Sequence, residues 1–379
     1  MPTVTPGSAR PPARPEVPVE RVGTRVWTVP TDRPESDGTL EWDSTTVVLV
    51  EIRAGGHTGT GWTYGHRAVA EIVEGKLAPL VTGADALRPG ASRAAMTAAC
   101  RNLGRPGAGA MAVSAVDIAL WDLKARLLGI PLVTALDAVH DATPVYGSGG
   151  FTSYSEREIA EQVEGWTAQG IPRVKIKIGR DPDADPARLR AARAAAGETT
   201  ELYTDANGAY HRKQALDWAD RLRREYGVSW LEEPVGSDDL EGLRLLRDRG
   251  PGGLDIAAGE YGFDLTYFHH MLDAGAVDCL QADVTRCGGI SGFLRAAALC
   301  DARTIDLSAH CAPQISAHVC TAVWHLRHLE YFHDHVRIEE MLFDGVLTPE
   351  EGGVLRPDRT RPGHGLTLVP ERAERYRVA

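Results

Sequence analysis

Apolar and polar positions follow two grammars along this chain, and the change between them divides it. From about Val19 to Gly61 the pattern is strand-like. VERVGTRVWTVP, STTVVLVEIRAGG and TGTGWTYG alternate or run apolar, with glycines at the turns. Helical spacing follows over Val69 to Leu80 and again from about Met111 to Leu128. In the second stretch Val116, Ile118, Leu120, Leu123 and Leu127 suit a largely buried helix, which Gly129 and Pro131 stop. Strands followed by helices without strict alternation predict a small α+β domain over residues 19–142.

After about Thr143 short apolar strands alternate with helices. VYGSGGF from Val145, VKIKIG from Val174, ELYTDAN from Glu201 and SWLEEP from Ser229 are the first four strands. IAAGE from Ile256, CLQADV from Cys279, TIDLSAH from Thr304 and HLEYF from His328 complete the series. The expected helices are Glu156–Gln169, Pro186–Ala196, Lys213–Tyr226, Leu240–Arg249, Leu265–Ala274, Ser291–Asp301 and His318–His325. Eight units spaced about 20 to 30 residues apart are what a (β/α)8 barrel of the TIM type produces, here over residues 143–344. A doubly wound sheet usually has fewer repeats and often a glycine-rich phosphate turn. Neither GxGxxG nor GxxxxGK[ST] occurs here.

Composition narrows the class further. The 379 residues are 43% hydrophobic and 25% charged, with a net charge of −11, an ordinary globular balance. An acidic chain with no basic stripe argues against a nucleic-acid partner. No apolar run approaches the roughly 20 residues of a membrane-spanning helix, so no membrane partner is expected. Residues 1–18 are rich in Pro, Ala and Arg, lack a signal-peptide apolar core and read as a flexible lead-in. Six scattered cysteines with no CxxC pair suit a reducing cytoplasm.

The active site of such a barrel lies at the C-terminal strand ends. Those positions are Lys175 and Lys177, Asp205 with Asn207, Glu232, Glu260, Asp283, His310 and Glu330. Every strand from the second to the eighth ends in an ionisable residue, and so many acids facing one mouth require something cationic between them. Asp205, Glu232 and Glu260 sit on consecutive strands. Three oxygen ligands without Cys or His select a hard cation, and Mg²⁺ completed by water and substrate is the natural choice. Local helix capping is the blander role for any one of them, but a poor account of three in a row. Lys175 and Lys177 are two apart on a strand and point to the same side. Their repulsion and desolvation are expected to favour the neutral amine on one of them, which makes it a usable base. Asp283 and His310 come from neighbouring strands, and a carboxylate beside an imidazole fixes its tautomer and supports the protonated ring.

These residues carry a resemblance. Lys175-Ile176-Lys177, Asp205-Ala206-Asn207, Glu232-Glu233-Pro234, Gly259-Glu260, Asp283 in QADVTRCGG, His310 in SAHCAP and Glu330 in HLEYF resemble the motifs of the enolase superfamily, mandelate racemase subgroup. The resemblance implies that residues 19–142 form a capping domain completed by a C-terminal return over residues 345–379. It implies Mg²⁺ on Asp205, Glu232 and Glu260, with Lys177 as a base on one face and the His310–Asp283 dyad on the other. Lys175 would help hold the substrate carboxylate, and a protonated Glu330 would donate a hydrogen bond to the developing enediolate. It also implies a homo-oligomer.

Bases on both faces permit two reactions on a small-molecule carboxylate. A dehydratase removes the α proton and protonates a departing β-hydroxyl, whereas a racemase or epimerase returns the proton from the other side. The resemblance favours dehydration of an aldonate or aldarate, with racemisation or lactone cycloisomerisation as alternatives. Specificity is expected from two capping loops, Thr31–Thr46 and Gly61–Arg67, through Asp37, Trp42, Tyr64 and His66; Ser148 and Asn207 are further candidate substrate contacts.

Two rivals use the same sequence. His318, His325, His328, His333 and His335 raise a zinc hydrolase, but HxH falls after the eighth strand instead of on the first, which predicts surface histidines on helices and loops. A binding protein that has lost the chemistry predicts decay among the proton-transfer residues, and all of them are present.

Overall fold

In the computed structural model, residues 16–379 are described. β1 (Arg21–Ser36), β2 (Glu41–Ala54) and β3 (His57–Tyr64) form an antiparallel sheet in that order. The helix Ala108–Leu127 packs across it, buried along almost its whole length. Gly59 and Gly61 make this contact possible, because a β-carbon at either would collide with the Ala119 or Ala115 carbonyl. The segment Thr31–Thr46 is not a loop. β1 runs through the prolines with a register break between Pro30 and Glu35, turns at Asp37–Leu40 and returns as β2. The stretch 69–80 is helical but broken, with a π-helical turn at Val73–Leu77 between Ala68–Ile72 and Ala78–Val81. A further helix, Pro89–Ala99, follows.

Eight parallel strands then close on themselves: β4 (Thr143–Gly149), β5 (Arg173–Lys177), β6 (Glu201–Asp205), β7 (Val228–Glu232), β8 (Asp255–Ala258), β9 (Cys279–Ala282), β10 (Asp306–Ala309) and β11 (Leu326–Phe332). Pairing of β11 with β4 completes the barrel. Side chains alternate across each strand. Val174, Ile176, Leu202, Leu231, Ile256 and Leu280 belong to the large core that includes the surrounding helices. Tyr146, Tyr203, Trp230, Ala257 and Cys279 form a separate cluster, with His328 against three of its rings. This aromatic layer supports the polar strand ends from beneath.

The seventh helix is Pro313–Cys320, not His318–His325. Cys311 and Ala312 take positive φ, turning the chain at once, and Pro313 is pre-shaped for a first helical turn. After β11 comes the helix His333–Leu342. Beyond residue 345 the chain touches both bodies. Val354–Leu355 pairs with the start of β4, Gly363 accepts the Leu132 amide, and Val26 donates to the Ala379 carbonyl. Residues 1–15 of the expected lead-in lie outside the described residues, whereas Val17 already accepts the Ala86 amide. All six cysteines are buried thiols, and no helix among the described residues is long and apolar enough to cross a membrane.

Candidate active site

The barrel register brings the charged strand ends side by side. Lys177 pairs with Asp205, and Asp205 with Glu232. One carboxylate oxygen from each of Asp205, Glu232 and Glu260 falls within 4.8 Å of the others, and all three residues are buried. Oε1 of Glu232 is buried without a hydrogen bond, and Oε2 of Glu260 has only the His310 ring nitrogen, 3.2 Å away. Such under-coordinated buried carboxylate oxygens suit a further cation. The donor set is all hard oxygen, so the residues fit Mg²⁺.

Both lysines point inward among these acids. The Lys175 ammonium lies 2.7 Å from Glu232, 2.8 Å from Glu330 and 3.5 Å from Asp205. Lys177 reaches Asp205 at 2.5 Å. Burial favours the neutral amine on each, yet Glu232 and Glu330 around Lys175, and Asp205 beside Lys177, outweigh it. Both are held above the ordinary lysine value. The expectation that mutual repulsion frees one amine did not reckon with these carboxylates, each of which favours the ammonium form. Lys175 is fully buried and bridges Glu232 and Glu330.

Glu330 differs from expectation in the same way. It accepts from Lys175 and from the Ser148 hydroxyl at 2.5 Å. Burial favours its acid form, but Lys175, His310 and Lys177 hold it as a carboxylate. Ser148, read as a substrate contact, sits behind Glu330 and off the cavity wall. Glu232 is pushed up to about 7 by burial and by Asp205.

On another wall Asp283 fixes His310. The Nδ1–Oδ2 distance is 2.8 Å, and Asp283 Oδ1 accepts the Thr285 amide and hydroxyl at 2.6 and 2.7 Å. The other ring nitrogen faces Glu260 at 3.2 Å and the Cys311 sulfur at 3.3 Å. Burial favours the neutral imidazole, but Cys311, Glu260, Glu330 and Asp283 together hold the proton on it.

Lys177, His310, Glu260, Glu330 and Asn207 line one cavity of about 470 Å³, roofed by residues of β1–β3. Asp37, Trp42, Tyr64 and His66 all reach it, as the capping reading requires. Two of them offer less polarity than expected. The Trp42 indole donates to Glu35 and the Tyr64 hydroxyl to Glu339, so both polar ends are committed within the protein. Asn207 takes positive φ, and its amide donates to Asp205. Gly38, at the hairpin tip, lies so close to the Ala206 and Ile178 carbonyls that no side chain fits.

Arg286, Cys311 and His335 are among the wall residues that the sequence did not place here. Arg286, three positions after Asp283, donates to the Glu260 carbonyl and lies 3.4 Å from Asp283. Cys311 donates to Glu330. His335 stacks on Tyr64 with ring centres 3.4 Å apart. The HxH spacing did single out His335, but for the surface.

The surface assignment fails for His318, His328 and His335, which are all buried. Burial holds His318 and His335 near 3, and so keeps them neutral. An unfolded histidine titrates near 6.5. Stability from these two is thus complete above that value and lost as pH falls toward 3. By pH 5 each has given up about 2 kcal/mol. Buried acids raised by burial, such as Glu339 at about 8, act with the opposite sign. The check is therefore a difference: in urea unfolding at pH 7.5 and 5.0, His318→Asn should lose about 2 kcal/mol less than the wild type. Equal losses would remove the buried-histidine account.

Comparison with known proteins agrees with this geometry. Residues 22–136 match the mandelate racemase/muconate lactonizing enzyme N-terminal domain, and residues 158–372 match the enolase C-terminal domain-like family. The chain belongs to the mandelate racemase/muconate lactonizing enzyme family of the enolase superfamily. A family member from Rubrobacter xylanophilus, a mandelate racemase/muconate lactonizing enzyme-like protein, is 63% identical with a TM-score of 0.93. The match covers 95% of this chain and all of that one. The 3,6-anhydro-alpha-L-galactonate cycloisomerase of Streptomyces coelicolor is 32% identical over 95% of this chain and 99% of its own. L-talarate/galactarate dehydratase of Salmonella typhimurium, solved with Mg and L-lyxarohydroxamate, is 28% identical with a TM-score of 0.88. That match covers 100% of this chain and 97% of the other. The chain is an enzyme of this family.

Proposed function

We propose that this enzyme removes the proton α to the carboxylate of a sugar acid and expels the β-hydroxyl, giving a 2-keto-3-deoxy acid. The observation that carries the reading is a cavity lined by a lysine, an aspartate-held histidine and Glu260, with Glu260 in turn one of three clustered buried carboxylates. The named activities of the dehydratase and cycloisomerase relatives support it.

Bound by Asp205, Glu232 and Glu260, Mg²⁺ would supply positive charge where the substrate carboxylate gains a second negative one. The chain's own residues handle the protons. Lys177 takes the α proton in the dehydration reading as the neutral amine, its ammonium proton having first passed to solvent water. His310, protonated and oriented by Asp283, gives a proton to the departing hydroxyl, which leaves as water. The enol product then tautomerises to the ketone. Substrates of the opposite configuration exchange the roles of Lys177 and His310 in the first step. Glu330, held as a carboxylate by Lys175 and Ser148, orients Lys175 and Cys311, so the donor role first expected of it is not part of this scheme.

The test is a library of sugar acids with Mg²⁺, scored for 2-keto-3-deoxy product and, in D₂O, for α-proton exchange. Product from at least one acid is expected. Exchange without keto product would favour racemisation or epimerisation. Neither signal from any acid would refute enolisation altogether.

A further inference from the structure

Strands β10 and β11 set a second group of metal-binding atoms beside one another. Ala309 pairs with Leu329, so His310 and Glu330 follow as neighbours. Successive residues of an extended chain point to opposite sides, and Cys311 would ordinarily turn away from His310. Its positive φ of 52° breaks that alternation, and its thiol faces the ring. The Cys311 sulfur lies 3.3 Å from Nε2 of His310 and 3.3 Å from Oε2 of Glu330, and those two atoms are 3.5 Å apart. All three residues are buried and line the cavity.

A triangle of this size also matches the edges of a metal tetrahedron. With bonds of about 2.3 Å to sulfur and about 2.0 to 2.2 Å to nitrogen and oxygen, the ligand atoms of a zinc-like ion stand roughly 3.3 to 3.6 Å apart. One thiol, one imidazole and one carboxylate suit a thiophilic divalent ion, whereas the oxygen cluster of Asp205, Glu232 and Glu260 selects a hard one. The surroundings favour coordination as well. Asp283 meets Nδ1 of His310 at 2.8 Å, which orients the ring and leaves Nε2 to a metal, as is usual for a ligating histidine. The two oxygens of Glu330 divide their contacts: Oε1 accepts from Lys175 and Ser148, and Oε2 faces the sulfur and the ring. Glu260, 3.2 Å from Nε2, adds a further negative charge. Each nearby cation is held by a carboxylate, Lys175 by Glu232 and Glu330, Lys177 by Asp205, and Arg286 by Asp283 and Glu260.

We propose that His310, Cys311 and Glu330 form a second metal site, which takes a thiophilic divalent ion of the Zn²⁺ class and inhibits the enzyme while Mg²⁺ occupies the oxygen cluster. Burial and Glu330 hold the thiol protonated in the metal-free protein. The ion therefore takes the sulfur as thiolate and Nε2 as a neutral ring nitrogen, and both displaced protons pass to water. With its Nε2 lone pair given to the metal, His310 can neither donate nor accept a proton there, and the departing hydroxyl loses its acid. Binding stands on the triangle alone. The inhibition rests on the enolisation reading and adds its regulation.

The test titrates the full-chain, Mg²⁺-saturated protein with Cd²⁺, whose bond to a thiolate gives an ultraviolet charge-transfer band. One equivalent should bring up the band in the wild type. Cys311→Ser should lose it and weaken Cd²⁺ binding by more than about 100-fold, since losing a group that merely orients a ligand already costs about 10- to 100-fold. His310→Asn keeps all six thiols and should weaken binding comparably, with circular dichroism confirming that each variant folds. No band in the wild type, an unchanged band in Cys311→Ser, or unchanged affinity in His310→Asn overturns the site. A second arm adds Zn²⁺ to wild-type enzyme turning over in excess Mg²⁺. One bound equivalent should stop turnover, and chelation followed by fresh Mg²⁺ should restore it; full activity at saturating Zn²⁺ overturns the inhibition. Turnover retained by Cys311→Ser should resist Zn²⁺, and equal sensitivity would place the inhibiting ion at Asp205, Glu232 and Glu260 instead. If the wild type converts no acid, enolisation falls and the inhibition with it, while the Cd²⁺ band still decides the site.

Discussion

Replacing Lys177 with alanine should lower kcat/KM by roughly 10³-fold or more, near the upper range for a positioned acid–base group. Among the described residues Lys177 is the one lysine on the cavity wall. Because Lys177 also pairs with Asp205, loss of activity alone is ambiguous, and circular dichroism with a magnesium titration must accompany it. His310→Asn supplies the contrast. Without the general acid, keto product should fall by a similar factor, whereas α-proton exchange in D₂O should continue for a substrate whose proton faces Lys177. Retained turnover in both variants would end the two-wall mechanism. Loss of exchange in both would mean that the two groups act as one unit.

Removing the divalent ion should have an effect as large. Chelation should bring conversion below detection, and Mg²⁺ should restore it, because the ion would supply positive charge where the substrate carboxylate gains its second negative one. The thermal signature should be smaller. At a hundred times its dissociation constant the ion adds about 2.7 kcal/mol, a rise in Tm of several degrees. Glu260→Gln should abolish that rise. A Glu260→Gln enzyme with wild-type stabilisation by Mg²⁺ would show that the ion binds elsewhere.

Much of this site was legible because it follows from strand ends. Each of Lys177, Asp205 and Glu232 closes a short apolar run, and the parallel register makes such positions neighbours whatever lies between them. The misreadings share a different cause. The hydroxyls of Ser148 and Tyr64 look free in sequence, but each donates to a glutamate, 182 and 275 residues away. The protonation of Glu330 and Lys177 depends on which of several nearby charges is closest, a matter of tenths of an ångström that no spacing rule contains. The β1–β2 hairpin was hidden by Pro30 and Pro34, residues that usually mark loops but are tolerated where strand register breaks. Helix Pro89–Ala99 has one large apolar residue, Met96, and buries little beyond it, Pro89 and Ser92, so its period was faint. His335 was visible as a motif and misplaced because sequence gives no depth.

The contacts of Lys175 and Lys177 carry one more consequence. Two ammonium groups stand among the acids at the mouth of the barrel, so the polypeptide brings its own countercharge to a place that would otherwise push itself apart. Maturation can then proceed in two stages, the scaffold first and the ion afterwards, and the ion can leave and return without taking the scaffold with it.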